Sequence, residues 1–307
     1  MNEHPKVNNN KLKNFRTALN TQDFVITSEI FLRPETNSNS IQIQADILRD
    51  YVDAILITDN QSGRVHMSSV AAGVLLLGVG VDPIVQLSCR NRNRISLLSD
   101  LLGCSALGIT SLSLVRGDKV PDDFQPRPKA IMDVTATELI RIANTMKNDA
   151  NIDSSRNFFL GGVVTAHAPK SGWPAKNITE KVNAGAQFVF THTCLDMDLV
   201  RIYMKRLAEI KFLWQCHVVV GIAILNSAED AQWVRKNRPN VIIPNDIITR
   251  LSNAKDPEKE GIAICVEQLE ELSTIPGVSG AHIIAPEKLT NIPVAVSQSD
   301  TYKKNPQ

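Results

Sequence analysis

Polar and ionisable side chains in this sequence collect at the ends of short apolar runs. FVITSE ends in Glu29, DAILIT ends in Thr58 ahead of Asp59-Asn60, and PIVQLS carries Gln86 into the run CRNRNR. ITSLSLV opens into Arg116-Gly117-Asp118, FFLGGVV into Thr165-Ala166-His167, and QFVFTH ends in Thr191-His192. A carboxyl such as Glu29 in a partly apolar pocket has a raised pKa and can act as a general acid; the plainer alternative is a strand-terminal ion pair. Gly117 lets backbone approach a ligand that Arg116 and Asp118 would contact, or the triplet is a surface turn with a local ion pair. Three arginines at alternate positions at a helix start suit a phosphate, or form a solvated basic face. His192 reads either as a hydrogen-bonded core histidine or as a catalyst. No histidine and carboxylate set has metal-ligand spacing, and no GxSxG nucleophile motif occurs.

These groups need a scaffold that brings strand ends together. Runs rich in β-branched residues fall at 24–29, 53–58, 83–88, 109–115, 158–164, 187–192, 217–222 and 278–284. Between most of them lie stretches with helical spacing of apolar residues, at 41–51, 95–102, 136–146, 199–210, 228–236 and 261–272. Strands alternating with helices predict a (β/α)8 TIM barrel in a single domain, whose site gathers at the C-terminal ends of the strands. An open doubly wound sheet is the alternative, weakened by the lack of GxGxxG after the first strand. The expected limits are a flexible N-terminal tail at 1–20, the barrel at 21–290 and a C-terminal tail at 291–307. Long polar loops at 118–129 and 165–179 have the length of functional loops.

Composition narrows the function. The chain has 307 residues with a 43% hydrophobic fraction, enough for a large core without disulfides. Charge is balanced at +1, so no net field attracts nucleic acid or an acidic membrane. Five scattered cysteines and an N-terminus without an apolar h-region predict reduced thiols and a cytoplasmic protein. The longest apolar run, 70–81, is broken by glycines and too short to span a bilayer.

The blocks VITSEI, VDAILITDN, PIVQLSCRNRNRISLLSDLLG, LVRGD, KVNAGAQFVFTHTCLD and GVSGAHIIAP, in this order across 24–286, resemble the methylenetetrahydrofolate reductase family. Within it the closing third is similar to the short, single-domain bacterial type. The resemblance implies a flavoprotein oxidoreductase of one-carbon metabolism, with FAD lying across the barrel mouth; FMN or no flavin are the alternatives. It implies that 5,10-methylene- and 5-methyltetrahydrofolate are interconverted, the step that feeds methionine biosynthesis. Electrons would come from NAD(P)H or a partner protein, and relatives are commonly homo-oligomers. By position, Glu29 matches the family's general acid and Asp118 the aspartate between flavin and pterin. Thr58, Gln86, Arg116, Gly117, Asp118 and Lys181 match flavin contacts, while Asp118 and His192 face the folate. His192 stands where the family has glutamine, and a single imidazole does not reproduce an amide's donor-and-acceptor pair. Two other functions share this scaffold: direct hydride transfer from NAD(P)H without flavin, and non-redox folate or partner binding.

Overall fold

The computed structural model describes residues 14–149, 151–152, 157–170, 172–238 and 240–301. Eight parallel strands close in chain order: β1 (Val25–Ile30), β2 (Ala54–Ile57), β3 (Pro83–Ser88), β4 (Ser111–Val115), β5 (Phe159–Val164), β6 (Phe188–Thr191), β7 (His217–Ala223) and β8 (Val278–Ile284). The ring shuts where Thr27 pairs with His282. This is a single-domain (β/α)8 TIM barrel, as the alternation predicts. Helix α1 (Phe15–Thr21) precedes the first strand, and α2 (Ser38–Leu48), α3 (Ser69–Gly78), α4 (Arg94–Ala106), α5 (Ala136–Lys147), α6 (Lys176–Asn183) and α7 (Met197–Glu209) follow successive strands. After β7 come α8 (Ala228–Asn237), α9 (Asn245–Asn253) and α10 (Pro257–Thr274), and after β8 comes α11 (Asn291–Gln298).

Alternation along each strand splits the core in two. Outward residues such as Ile26, Ile30, Ile55 and Val85 pack under the helices, whereas Val25, Leu56, Ile84, Phe159 and Phe188 fill the lumen. Counting in twos from Val25, Thr27 and Glu29 must also face the lumen. Gly161 leaves room there, since a Cβ would lie 2.3 Å from the Phe188 ring. No helix among the described residues is long and apolar enough to cross a membrane.

Both expected tails are partly structured. Residues 15–20, assigned above to a tail, belong to α1, because Phe15, Ala18 and Leu19 give the helix a short apolar face that closes the barrel floor. The Phe15 ring meets Phe188 edge-on at 5.1 Å and Phe159 at 5.7 Å. Residues 1–13 of that expected tail lie outside the described residues. Residues 291–298 form α11, whose Ile292, Ala295 and Val296 are buried and whose body packs on α10 and α2. The rest of that expected tail is described only to residue 301.

The floor contains a titratable joint. The Asp82 carboxylate, 5% exposed, accepts from the Phe15 amide at 2.7 Å. Burial pushes its pKa up from 3.8 to about 6, the Phe15 hydrogen bond opposing the shift only in part. The folded protein therefore holds this proton more tightly than the unfolded chain. The stabilisation is complete below the unfolded pKa and is lost as pH rises through about 6. Unfolding titrations of the wild type and Asp82→Asn should show this component between the two values, from pH 3.8 to about 6, in the wild type alone. Equal pH slopes in the two proteins would remove the assignment.

Candidate active site

Glu29 sits at the lumenal end of β1, 4% exposed. Its Oε1 accepts from Gln61 Nε2 at 3.2 Å, and its Oε2 lies 3.6 Å from His282 Nε2. The other ring nitrogen, Nδ1, is 3.0 Å from Thr27 Oγ1. The strand register brings this about, since Thr27 pairs directly with His282 and Glu29 lies two residues on, along the same inner face. His282 Nε2 is sealed from solvent and has no hydrogen-bond partner at normal distance, so the carboxyl is the group it faces.

The raised pKa expected for Glu29 is not found. Burial does push it up, but the nearby His282 opposes burial, with smaller help from Arg238 and Gln61, and the net shift is downward. The carboxyl thus faces an imidazole inside the lumen instead of standing alone in an apolar pocket. Sequence reasoning passed over His282 within GVSGAHIIAP. Its signal was the period of two, which puts Gly280, His282 and Ile284 on one face.

Gln61 begins a short 3₁₀ turn, Gln61–Gly63, that follows β2. The next residue, Ser62, donates its amide to Asp118 Oδ2 at 2.7 Å. One turn therefore holds both carboxylates, Glu29 by a side chain and Asp118 by the backbone. Gly63 is required there: its φ is +68°, and a Cβ would lie 2.6 Å from the Lys119 carbonyl oxygen. Gly117 is equally confined at φ +87°, with Ser88 Cβ 2.8 Å from where its own Cβ would be. Arg90 Nε donates to the Gly117 carbonyl at 3.2 Å. The Arg-Gly-Asp stretch is thus locked to the β2 and β3 exits, with Arg116 and Asp118 exposed on the rim.

The CRNRNR run is only in part a solvated basic face: Arg94 is exposed, whereas Arg90 and Arg92 are engaged. Arg92 forms a bidentate pair with Asp59, which is 3% exposed, and its Nε meets Asp100 at 2.9 Å. Asp59 Oδ2 also accepts from the Ser88 amide at 2.7 Å. The Asp59 amide in turn donates to Gln86 Oε1 at 3.2 Å, which leaves the Gln86 amide nitrogen as the donor on its far side. Thr58, one residue beyond β2, is buried beside this brace.

Lys181 and His192 lie further round the mouth. Lys181 is buried and donates to Asn177 Oδ1 at 2.5 Å; burial pushes its ammonium below the usual lysine range. With Thr137, Trp173 and Lys176 it lines a cavity of about 350 Å3. Trp173 is held edge-on against His167 at 4.7 Å. His192, half-buried, donates its backbone amide to Val164 at 2.9 Å. Burial lowers its pKa and the charge of Asp118 works against that shift, so the two groups feel one another across the mouth. After α8 the chain returns to this exit, where Ile242 and Thr193–Leu195 exchange backbone hydrogen bonds.

Among the described residues no group of three or more His, Cys, Asp or Glu side chains could hold a metal ion. All five cysteines are buried, and burial pushes the Cys89 and Cys194 thiols up to about 11.

The sequence matches the methylenetetrahydrofolate reductase family over residues 14–299. The chain belongs to that family. Glu29, His282, Asp59 and the Arg-Gly-Asp rim all fall within the matched span of this methylenetetrahydrofolate reductase family member. Among solved structures it is similar to an uncharacterized protein from Clostridium thermocellum that binds two copies of 5-methyl-5,6,7,8-tetrahydrofolic acid. The TM-score is 0.61 at 15% identity, over 94% of this chain and 98% of that one. A looser likeness is to fungal β-1,4-galactanases, with a TM-score of 0.49 at 10% identity over 79% of this chain and 80% of the other.

Proposed function

We propose that the barrel mouth binds a reduced folate and interconverts its 5,10-methylene and 5-methyl forms. The observation that carries this reading is the Glu29–His282 pair, tied through Gln61–Ser62 to Asp118. A binding protein needs no proton donor at that depth. An acid there can protonate the folate nitrogen that bears the methylene bridge, which opens the bridge to an iminium cation able to accept hydride. Asp118 on the rim faces the developing positive charge, and the apolar lumen below keeps water from quenching it.

FAD is the cofactor that family membership favours, and the donor set suits one. Lys181, Arg116 and the Gln86 amide nitrogen offer cations and donors to phosphate and ring carbonyls, and Trp173 gives an aromatic wall to a cavity large enough for part of a nucleotide. Thr58 and the Gly117–Asp118 backbone would border the ring. When bound, a flavin supplies the hydride and takes electrons from NAD(P)H or a partner protein. Everything else, orientation and protonation included, falls to the residues named.

Gly117 favours a second reading, in which the mouth binds folate without flavin and any hydride comes directly from NAD(P)H. The space that its missing Cβ leaves is filled by Ser88 and Arg90, not held open for a ring. The C. thermocellum protein, with its two bound folates, gives a precedent for this scaffold holding folate.

An absorbance spectrum of the purified protein, taken with a titration of 5-methyltetrahydrofolate, separates these readings. Folate binding with stoichiometric flavin bands is the expected result. Folate binding to a colourless protein that takes up neither FAD nor FMN leaves the second reading, and no folate binding overturns both.

A further inference from the structure

The turn that links the two carboxylates is itself held in an unfavourable shape. Asn60 has φ +51° and Ser62 φ +56°, and with Gly63 at +68° the turn is left-handed at three positions. Non-glycine residues keep that conformation where their surroundings over-determine it. Within the turn, the Gly63 amide donates to the Asn60 carbonyl at 2.8 Å and Asn60 Nδ2 to the Arg64 carbonyl at 3.0 Å. These bonds set its curvature, and its attachment to the barrel comes from outside it.

His66 supplies part of that attachment. Its Nε2 accepts from the Asn60 amide at 2.9 Å, so Nε2 carries no proton. Nδ1 carries it and donates to the Met67 carbonyl at 2.6 Å. Both ring nitrogens are used, and the half-buried ring is fixed in one tautomer. What stands behind the ring is anchored. Met67 packs on the outer core, and Ser69, at the start of α3, donates its hydroxyl to the Gln86 carbonyl on β3 at 2.8 Å. On the other side, Asp59 precedes the turn and is held by Arg92 and by the Ser88 amide. Asn60 is therefore gripped twice, by its chain connection to a braced Asp59 and by the imidazole.

We propose that His66 is a positioning residue for the reaction assigned to this mouth, an inference that rests on that assignment. Its hydrogen bonds go to Asn60 and Met67 and to neither carboxylate. By pinning Asn60 it sets where the next two residues stand. Gln61 then meets Glu29 at 3.2 Å, and the Ser62 amide meets Asp118 at 2.7 Å. With no acceptor at residue 66 the Asn60 amide loses its partner, and the left-handed turn is free to relax. The acid in the lumen and the carboxylate on the rim then lose their common brace, although both are still present.

Hydrogen exchange of the full chain, with steady-state kinetics of methylenetetrahydrofolate reduction on the same preparations, tests this. The amides of Asn60, Ser62 and Gly63 all donate within the protein and should be protected in the wild type. His66→Leu, which removes the acceptor, should speed their exchange at least about tenfold. It should lower kcat by at least about tenfold with a smaller change in KM, since a misplaced acid acts on the chemical step. His66→Gln, whose amide both accepts and donates, should bring exchange and kcat back to within a few-fold of the wild type. Unprotected amides in the wild type, unchanged exchange in His66→Leu, or no rescue by His66→Gln would each overturn the clamp. A loosened turn with unchanged kcat would overturn the positioning role. A wild type that neither binds nor reduces folate would overturn the assignment of the mouth instead, and exchange, read without substrate, would still decide the clamp.

Discussion

Glu29→Gln should lower turnover by a factor on the order of 10² or more while leaving folate affinity within a few-fold of the wild type. The amide oxygen of glutamine can still accept from Gln61 Nε2, so the turn that also holds Asp118 should not move. What the substitution removes is the ionisable carboxyl that faces His282. The loss then falls on the chemical step, where only a group engaged in the transition state counts. Single-turnover rates and equilibrium binding, measured on the same preparation, separate the two effects. Near-normal turnover in Glu29→Gln would take the acid role away from this residue, and a parallel collapse of binding would make it a packing residue.

Arg92→Met should be the most damaging change to stability outside the apolar core. It leaves the Asp59 carboxylate buried with the Ser88 amide as its remaining hydrogen-bond donor, and losing one partner of a buried pair costs about 3–5 kcal/mol. For a chain of this size that lowers Tm by something on the order of 10 °C. Asp59→Asn combined with Arg92→Met should recover much of the loss, because no buried charge is then left alone. Thermal and urea unfolding of the single and double variants give the comparison. A single variant within about 1 kcal/mol of the wild type would class the pair with solvent-screened ion pairs.

The strands were the most legible part of the fold, because apolar runs of β-branched residues bounded by polar ends have few other outcomes. Several helices were harder to read. In α3, glycines interrupt the apolar run SVAAGVLLLG, and no charged residue marks the face that points outward. The helix α11 carries Pro293 in its first turn, which is tolerated there but reads in sequence as a break. The single face of α1 is only seven residues long. Its partners Phe159 and Phe188 are far along the chain, so nothing local shows that Phe15 is a plug.

Within the site, residues that end strands could be placed from the sequence, and groups that complete them from a distance could not. Glu29, Gln86, Asp118 and His192 all stand at the mouth, where the spacing put them. His282 reaches Glu29 only because the barrel closes β8 onto β1. Gln61 lies in a turn with no periodicity to reveal it. The pairing of Asp59 with Arg92 spans 33 residues and two strand exits, and it converts part of what looked like a basic face into an internal brace.

The plug at the barrel floor bears on traffic. With the Phe15 ring set among Phe159, Phe188 and Phe190, the lumen below Glu29 is a closed end. Whatever reaches the carboxyl comes in past the Arg116–Asp118 rim and goes out the same way. Two flat molecules stacked in such a blind chamber leave in the reverse of the order in which they entered. The deeper of the two is trapped for as long as the outer one stays.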